Sequence, residues 1–481
     1  MSEPYNTVNY IVEDYKTLIH ELVESNESNF FIEENWYLLR HIKMIGKKMG
    51  INYGFVHHPS FMLGMYKPLM QSPKKLKRTD FGFKEMVIQW YCNRAEAEDR
   101  YGHISYWDVS SVTDMSYLFK NMKLFNDDIS HWDVSNVTNM ENMFIDAHAF
   151  DQPIGKWNVS NVTNMSGIFS NAESFDQPIG NWDVSNVKNM SSMFSDAKSF
   201  NQIVGNWNVS NVTNMACMFC GAKSFNQHVG NWNVSNVTNM QAIFSCAKSF
   251  NQSITDWDVS NVIYMNYFFH HAELFNQAIG NWNVSQVIEM MGMFEGAHAF
   301  NHPIGNWNVS NVNDMYYMFS EAYTFNQPIG AWNISNVTRM SHMFNQARKF
   351  NQPIGNWDVS NVSDMNGMFA KARVFNQHIG TWNVSNVSNM DDMFKDTHTF
   401  NQAIGDWDVS NVNSMSQMFY RAREFNQPIG DWDVSNVTIM SGMFYGAKLF
   451  NQPIRSWKVS IDTKADKMFS FAESFKQPLW D

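Results

Sequence analysis

Residues 150–174 read FDQPIGKWNVSNVTNMSGIFSNAES, and Phe175 opens the same pattern again. Apolar side chains fall at Phe150, Ile154, Trp157, Val159, Val162, Met165, Ile168, Phe169 and Ala172. The run Ile154-x-x-Trp157-x-Val159 sends alternate side chains to one face, which predicts a short strand. From Met165 the spacing changes to three and four, Met165-x-x-Ile168-Phe169-x-x-Ala172, which predicts a turn or two of helix. Thr163 or Asn164 suits the N-cap of that helix, and Pro153 or Gly155 punctuates the return.

The pattern extends over most of the chain. A Trp stands at every twenty-fifth position from Trp107 to Trp457, fifteen times without a gap, and unbroken Phe columns run from Phe119 to Phe469 and from Phe125 to Phe475. One such unit cannot bury its own apolar face, so neighbouring units must stack to make a common core. The expected fold class is an α/β repeat solenoid over residues 103–481, with about fifteen 25-residue coils and one short strand plus one short helix in each. Ladders of identical Trp, Phe and Met side chains fill its interior. The Asn column from Asn136 through Asn161 and Asn186 to Asn436 recurs beside the buried valines, where its carboxamides are expected to bond backbone groups at the turns. Gln286 replaces it once and Ile461 ends it.

The central unit, FNQPIGNWDVSNVTNMSxMF, resembles the BspA-like repeat family, a branch of the leucine-rich-repeat superfamily. That family was first catalogued as a domain of unknown function in mycoplasma surface lipoproteins, and similar arrays occur in bacterial surface proteins, some algae and protists, and large DNA viruses. The resemblance covers about residues 103–480. It implies a leucine-rich-repeat-like solenoid of the kind found in surface and adhesion proteins, and it implies no catalytic residues.

The two ends depart from the repeat. Residues 1–80 read as a small helical region of unknown role, with helices expected over 7–25 and 33–48 and a basic patch at Lys74, Lys75, Lys77 and Arg78. Residues 81–102 read as an amphipathic capping helix, whose Met86, Val87, Trp90 and Tyr91 face the first coil while Glu96, Glu98 and Asp99 face water. The last coil carries Lys458, Asp462, Lys464, Asp466 and Lys467 in columns that are mostly neutral elsewhere. This is the expected charged C-terminal cap, which discourages end-to-end polymerisation.

Composition narrows the function. Of 481 residues 15% are aromatic and 34 are Met, which is a core-building composition. Net charge is −12, and residues 1–100 carry equal numbers of acids and bases, so the excess acid lies on the repeats. An acidic array disfavours nucleic acid and anionic membrane as partners. The N-terminus lacks a basic stretch followed by an apolar one, and no run approaches the length needed to span a bilayer. An intracellular or virion location is therefore expected, with the chain monomeric or assembled into a larger particle.

No Ser/His/Asp set, phosphate-cradling Gly loop, HExxH or dinucleotide fingerprint occurs, so neither an enzyme nor a cofactor is expected. Cys217-Met-Phe-Cys220, with Cys246 one coil later, has no fourth ligand at a recurring position, and His298 and His302 flank a bend; neither set reads as a metal site. The Trp-Asp/Asn-Val-Ser-Asn-Val stretch hardly varies between coils, whereas the columns that follow it do. A specific partner reads varied columns. Within them Tyr264, Tyr267, His270, His271, Tyr316, Tyr317 and Tyr323 bring aromatic side chains onto nearby coils, and Tyr is enriched at interface hot spots. These seven are the candidate protein-binding residues. The expected function is non-enzymatic protein binding or scaffolding, the alternative being a structural or virion-surface component or an adhesin-like surface protein.

Overall fold

The computed structural model describes residues 80–480. The chain divides into two compact units, Met1–Ser111 and Val112–Asp481. The helices expected over 7–25 and 33–48 and the basic patch at 74–78 lie outside the described residues.

In the first unit the single helix expected over 81–102 is two helices, α1 (Asp80–Cys92) and α2 (Arg94–Tyr101), separated at Asn93, followed by a 3-10 turn at Ile104–Tyr106. Asn93 has φ −146° and ψ 72°, outside the helical region, and there the backbone changes direction. Phe83, Val87 and Trp90 of α1 are buried, while Glu96, Glu98 and Asp99 of α2 are exposed. Trp107 is held edge-on by Phe83, Trp90 and Tyr101 at centroid distances of 6.1, 5.8 and 6.2 Å. Its indole N–H donates to the carbonyl of Gly102 at 2.9 Å.

The second unit corrects the expected fold class. Its coils do not contain one strand and one helix each, and the only helices among the described residues are those of the first unit. Each coil contributes a single bridging residue to a parallel ladder, running Asp114↔Asn139, Asn139↔Asn164 and so on to Ile439↔Lys464. Everything else in the coil is turns and extended links. The leucine-rich-repeat-like strand-and-helix solenoid is therefore not the architecture.

The reason lies in where the backbone N–H groups go. Across the stretch read as a helix, the N–H groups of Met165, Gly167, Phe169 and Asn171 do not reach back four residues. They donate to the carbonyls of Asn189, Ser191, Met193 and Ser195 in the next coil, at 3.0, 2.8, 3.0 and 2.6 Å. The alternate residues close three-residue turns instead, Ile168 to Met165, Ser170 to Gly167 and Ala172 to Phe169. Gly167 and Asn171 have φ of 60° and 56°, the left-handed region, and two such residues four apart recur in every coil. A left-handed residue at that interval interrupts an α-helix before it completes a turn.

The stretch read as a strand does bury Ile154, Trp157 and Val159 on one face. Its N–H groups, however, are used within the coil, Trp157 to Ile154 and Val162 to Val159, at 3.1 and 2.9 Å. Side chains join this half to the preceding coil. The Trp157 indole donates to Ile129 O at 3.2 Å, and Asn161 Nδ2 to Ser135 O at 2.7 Å. Asp151 Oδ1 accepts the N–H of Asp176 and the amide of Gln177 at 3.0 and 2.9 Å. Among the described residues Gln286, standing where Asn is expected, makes no bond of the Asn161 kind.

The core consists of continuous aromatic stacks. Phe144, Phe169 and Phe194 lie nearly parallel at 5.6 and 5.7 Å, and each packs on the second Phe column of its own coil, as Phe169 does on Phe175 at 3.9 Å. Trp282, Trp307 and Trp332 form a third stack at 6.4 Å with ring planes within 2°. All are buried. Burying a side chain of this size contributes about 1.5–3 kcal/mol, and every coil adds three.

Candidate functional site

The varied columns sit on the half of the coil that is joined by backbone bonds. Tyr267 and Tyr317 occupy the first left-handed column, with φ of 56° and 58°, and His271 the second, with φ of 50°. Tyr264 is a bridging residue of the parallel ladder, between Asn239 and Glu289. It is the most open of the seven candidates, 38% exposed, and Tyr267, His270, His271, Tyr316, Tyr317 and Tyr323 are half-buried.

These residues gather in three groups. Tyr267 meets His270 edge-on at 5.3 Å, and His270 meets His271 at 4.4 Å. Two coils later Tyr316 and Tyr317 meet edge-on at 4.2 Å. Tyr323 stands apart from both, stacked flat on His298 of the preceding coil at 4.4 Å.

The intervening coil is cut down to fit. Tyr267 lies over Gly292, so close that a Cβ there would stand 2.5 Å from its ring, and His271 covers Gly296 in the same way at 2.2 Å. Tyrosines occupy the Gly292 column at φ values like its own, so here the glycine makes room for the ring above it rather than only supplying φ. The carboxylates of Glu295 and Asp314 and the Tyr316 hydroxyl all act on Tyr267, whose pKa is raised chiefly by burial and secondarily by them.

Several partners were not picked out by the sequence reading. Arg339 lies over the Tyr316 ring at 4.8 Å and pairs with Asp314 at 2.8 Å. Arg348 lies over Tyr323 at 4.1 Å, completing a His298–Tyr323–Arg348 stack. His342 stacks on Tyr317 at 4.7 Å. Arg348 and His342 follow Tyr323 and Tyr317 by 25 residues, and Arg339 follows Asp314 by 25 and Tyr316 by 23, so the signal that could have found them is the column, read downward.

Burial sets the electrostatics at the centre of the cluster. Burial, and then His271, pushes the His270 pKa down to about 4. Burial, and then Glu321, pushes Glu295 up to about 7. Their 3.7 Å approach is accordingly not an ion pair at neutral pH, since His270 is uncharged there. Burial also lowers His298 and His342. His298 Nε2, His342 Nδ1 and Asn266 Oδ1 are buried without a hydrogen-bond partner. The Ser245 hydroxyl meets His270 Nδ1 at 3.0 Å, and Ser245 is buried.

The cysteines are free thiols. Cys217 is lowered to about 7 because the Cys220 thiol hydrogen-bonds to it, and Cys220 is raised by the same contact. Among the described residues no group of three or more His, Cys, Asp or Glu is placed to hold a metal ion. No described helix is long and apolar enough to cross a membrane.

Two solved structures are similar over much of the chain. A plant peptide hormone receptor, RGFR1 in complex with RGF2, is 6% identical and covers 73% of this chain with a TM-score of 0.19; this chain spans 64% of that receptor's length. A leucine-rich-repeat protein of Leptospira interrogans is 9% identical, covers 80% of this chain and 98% of its own, with a TM-score of 0.17. Scores this low carry no argument about fold or function. No curated protein matches. The family model described as "Mycoplasma protein of unknown function, DUF285" matches residues 89–204, 188–303, 265–382 and 373–481. Those four overlapping matches span the entire array, and the chain belongs to this family.

Proposed function

We propose that this protein is a non-enzymatic structural or surface component, adhesin-like in use, that presents a stiff repetitive frame and engages a protein partner through its varied columns. The observation that carries the reading is how the polar groups are used. Asn, Asp, Gln and Trp side chains on one half of each coil, and backbone N–H groups on the other, are spent on joining coils. What remains free to differ is a band of half-buried aromatic and charged side chains. Its densest part is the Tyr264–Arg348 cluster. Tyr and Arg held rigid by stacking lose little entropy on binding, which suits them as interface anchors.

Surface labelling of intact cells or particles, followed by cross-linking mass spectrometry, tests the reading. Cross-links from the 264–348 band to another protein are expected. Tyr264→Ala combined with Tyr316→Ala should weaken that association at least tenfold, with unchanged melting. If the double variant associates normally while changes in the Asp/Asn column at Asp258 and Asn283 abolish association, the regular half is the contact face instead.

A further inference from the structure

Of the four cysteines in the chain, Cys217, Cys220 and Cys246 fall in two successive coils of the array. All three are free, half-buried thiols in the varied columns, within reach of a small molecule. Cys217 and Cys220 open and close one three-residue turn. The Cys220 N–H donates to Cys217 O at 3.1 Å, and Cys217 has φ of 57°. A turn of this kind holds its end Cα atoms within about 7 Å. A disulfide spans Cα separations of about 4.4–6.8 Å. Side chains at these two positions also meet in other coils. Lys395 pairs with Asp392 at 3.1 Å, Lys120 lies over the Tyr117 ring at 5.3 Å, and Tyr267 meets His270 at 5.3 Å. In the Cys217 coil the two groups that meet are thiols, joined by a hydrogen bond.

Cys246 is turned elsewhere. Side chains in its column lean over the following coil, as Asp196 does over Gly221 and His271 over Gly296, where an added Cβ would stand 2.2 Å from each. The Cys246 sulfur accordingly lies 3.9 Å from His270 Nδ1 and 3.9 Å from the Ser245 hydroxyl. The bonds that join the Cys217 coil to the next, such as Cys217 N–H to Gln241 O at 2.7 Å, use backbone atoms and involve neither sulfur of the pair.

We propose that Cys217 and Cys220 form a thiol-oxidation site, at which a hydroperoxide converts the pair into a reversible disulfide across the turn. Cys217 is the attacking sulfur. The hydrogen bond from the Cys220 thiol lowers its pKa to about 7, so much of it is thiolate at neutral pH. Cys246, raised chiefly by burial, stays a thiol. The Cys217 thiolate attacks one peroxide oxygen, the O–O bond breaks, and the departing oxygen takes a proton, leaving a sulfenic acid. Cys220 is raised first by its bond to Cys217, and that cause is gone once Cys217 carries oxygen. The Cys220 sulfur then attacks the Cys217 sulfur, the S–O bond breaks, and hydroxide leaves with the Cys220 proton as water. The two thiols give up two electrons and two protons. The hydroperoxide takes up both and leaves as an alcohol and water, or as two waters when it is hydrogen peroxide.

The test is mass spectrometry of the reduced full chain, treated with a small excess of hydrogen peroxide and then alkylated. One tryptic peptide, residues 199–223, holds both cysteines of the pair, and another, residues 224–248, holds Cys246. The first is expected to lose two hydrogens, to resist alkylation and to be restored by a dithiol reductant, while Cys246 in the second is still alkylated. Cys220→Ser should leave a sulfenic acid at Cys217 that a 1,3-diketone traps, and Cys217→Ser should slow oxidation of Cys220 at least tenfold. The proposal is overturned if both thiols of the pair remain open to alkylation after peroxide, or if Cys220 links to Cys246 or to a second chain. It is equally overturned if Cys217→Ser leaves the oxidation rate of Cys220 unchanged.

Discussion

The two halves of every coil are joined to their neighbours by different atoms. On the Trp half the inter-coil bonds come from side chains, such as the Trp indole and the Asn carboxamide donating backward to the preceding coil. On the Phe half they come chiefly from backbone N–H groups, most of them donating forward. The difference explains the pattern of repetition in the sequence. Where side chains make the joint, losing the Trp or the Asn removes a bond to the preceding coil, and Trp-Asp/Asn-Val-Ser-Asn-Val is repeated almost unchanged. Where the backbone makes the joint, the outward side chains are released, and Tyr, His, Cys, Gly, Lys and Asp succeed one another in a single column.

The largest expected effect is on the Trp half. Trp282→Ala removes a buried ring stacked on Trp307 and a bond to Ile254 O at 3.2 Å. It should cost about 3–5 kcal/mol, and hydrogen exchange should show lost protection across residues 260–305. Unchanged protection there would break the picture of a shared stack.

On the Phe half, Gly292→Ala should cost about 1–3 kcal/mol because the new methyl meets the Tyr267 ring. Adding Tyr267→Ala should recover most of that loss. A double variant as unstable as the single one would show that the glycine is required by backbone conformation after all.

Glu295 sharpens the comparison through pH. Its folded pKa, about 7, lies above the ordinary 4.5, so the fold favours its protonated form and stability falls as pH rises from about 4.5 through 7. Glu295→Gln should therefore stabilise the protein at pH 8 by about 1–3 kcal/mol and leave it nearly unchanged at pH 4.5. His270 acts in the opposite sense. Its folded pKa near 4 means that stability is lost as pH falls from about 6.5 toward 4, in wild type and variant alike. Melting curves at the two pH values separate the contributions.

The smallest effect belongs to a single rung. Asn311→Ala deletes the 2.7 Å bond to Ser285 O and should cost about 1 kcal/mol. Gln286, where the rung is naturally missing, should tolerate the same change with almost no effect, as thermal melting would reveal.

The period, the buried columns and the extent of the array were legible in the residues, because Trp157, Phe169 and Phe175 recur without exception and large apolar side chains must be buried together. The local backbone was not. Met165-x-x-Ile168-Phe169-x-x-Ala172 is the spacing of a helix face, but turns interrupted by a left-handed residue every four positions produce the same spacing. Tyr267, Cys217 and Lys371 in left-handed positions conceal the usual glycine signature. The better signal was negative. Down both left-handed columns there is no Val, Ile, Thr or Pro, the residues least able to adopt that conformation. The candidate aromatic residues were found because they interrupt a repeat. Their stacking partners His342, Arg339 and Arg348 were missed because each looks ordinary within its own coil.

The Asn rung also bears on chemical modification. Asn161-Val-Thr163 and its counterparts are acceptor sequences for N-linked glycosylation, which attaches sugar to the carboxamide nitrogen. In the folded array that nitrogen is bonded to Ser135 O, and the Thr163 hydroxyl to Thr138 O at 3.2 Å. A glycan added to the unfolded chain would place its bulk at the joint between two coils, many times over. In any compartment that glycosylates, folding must therefore outrun the transferase, and a folded array offers it few free acceptors.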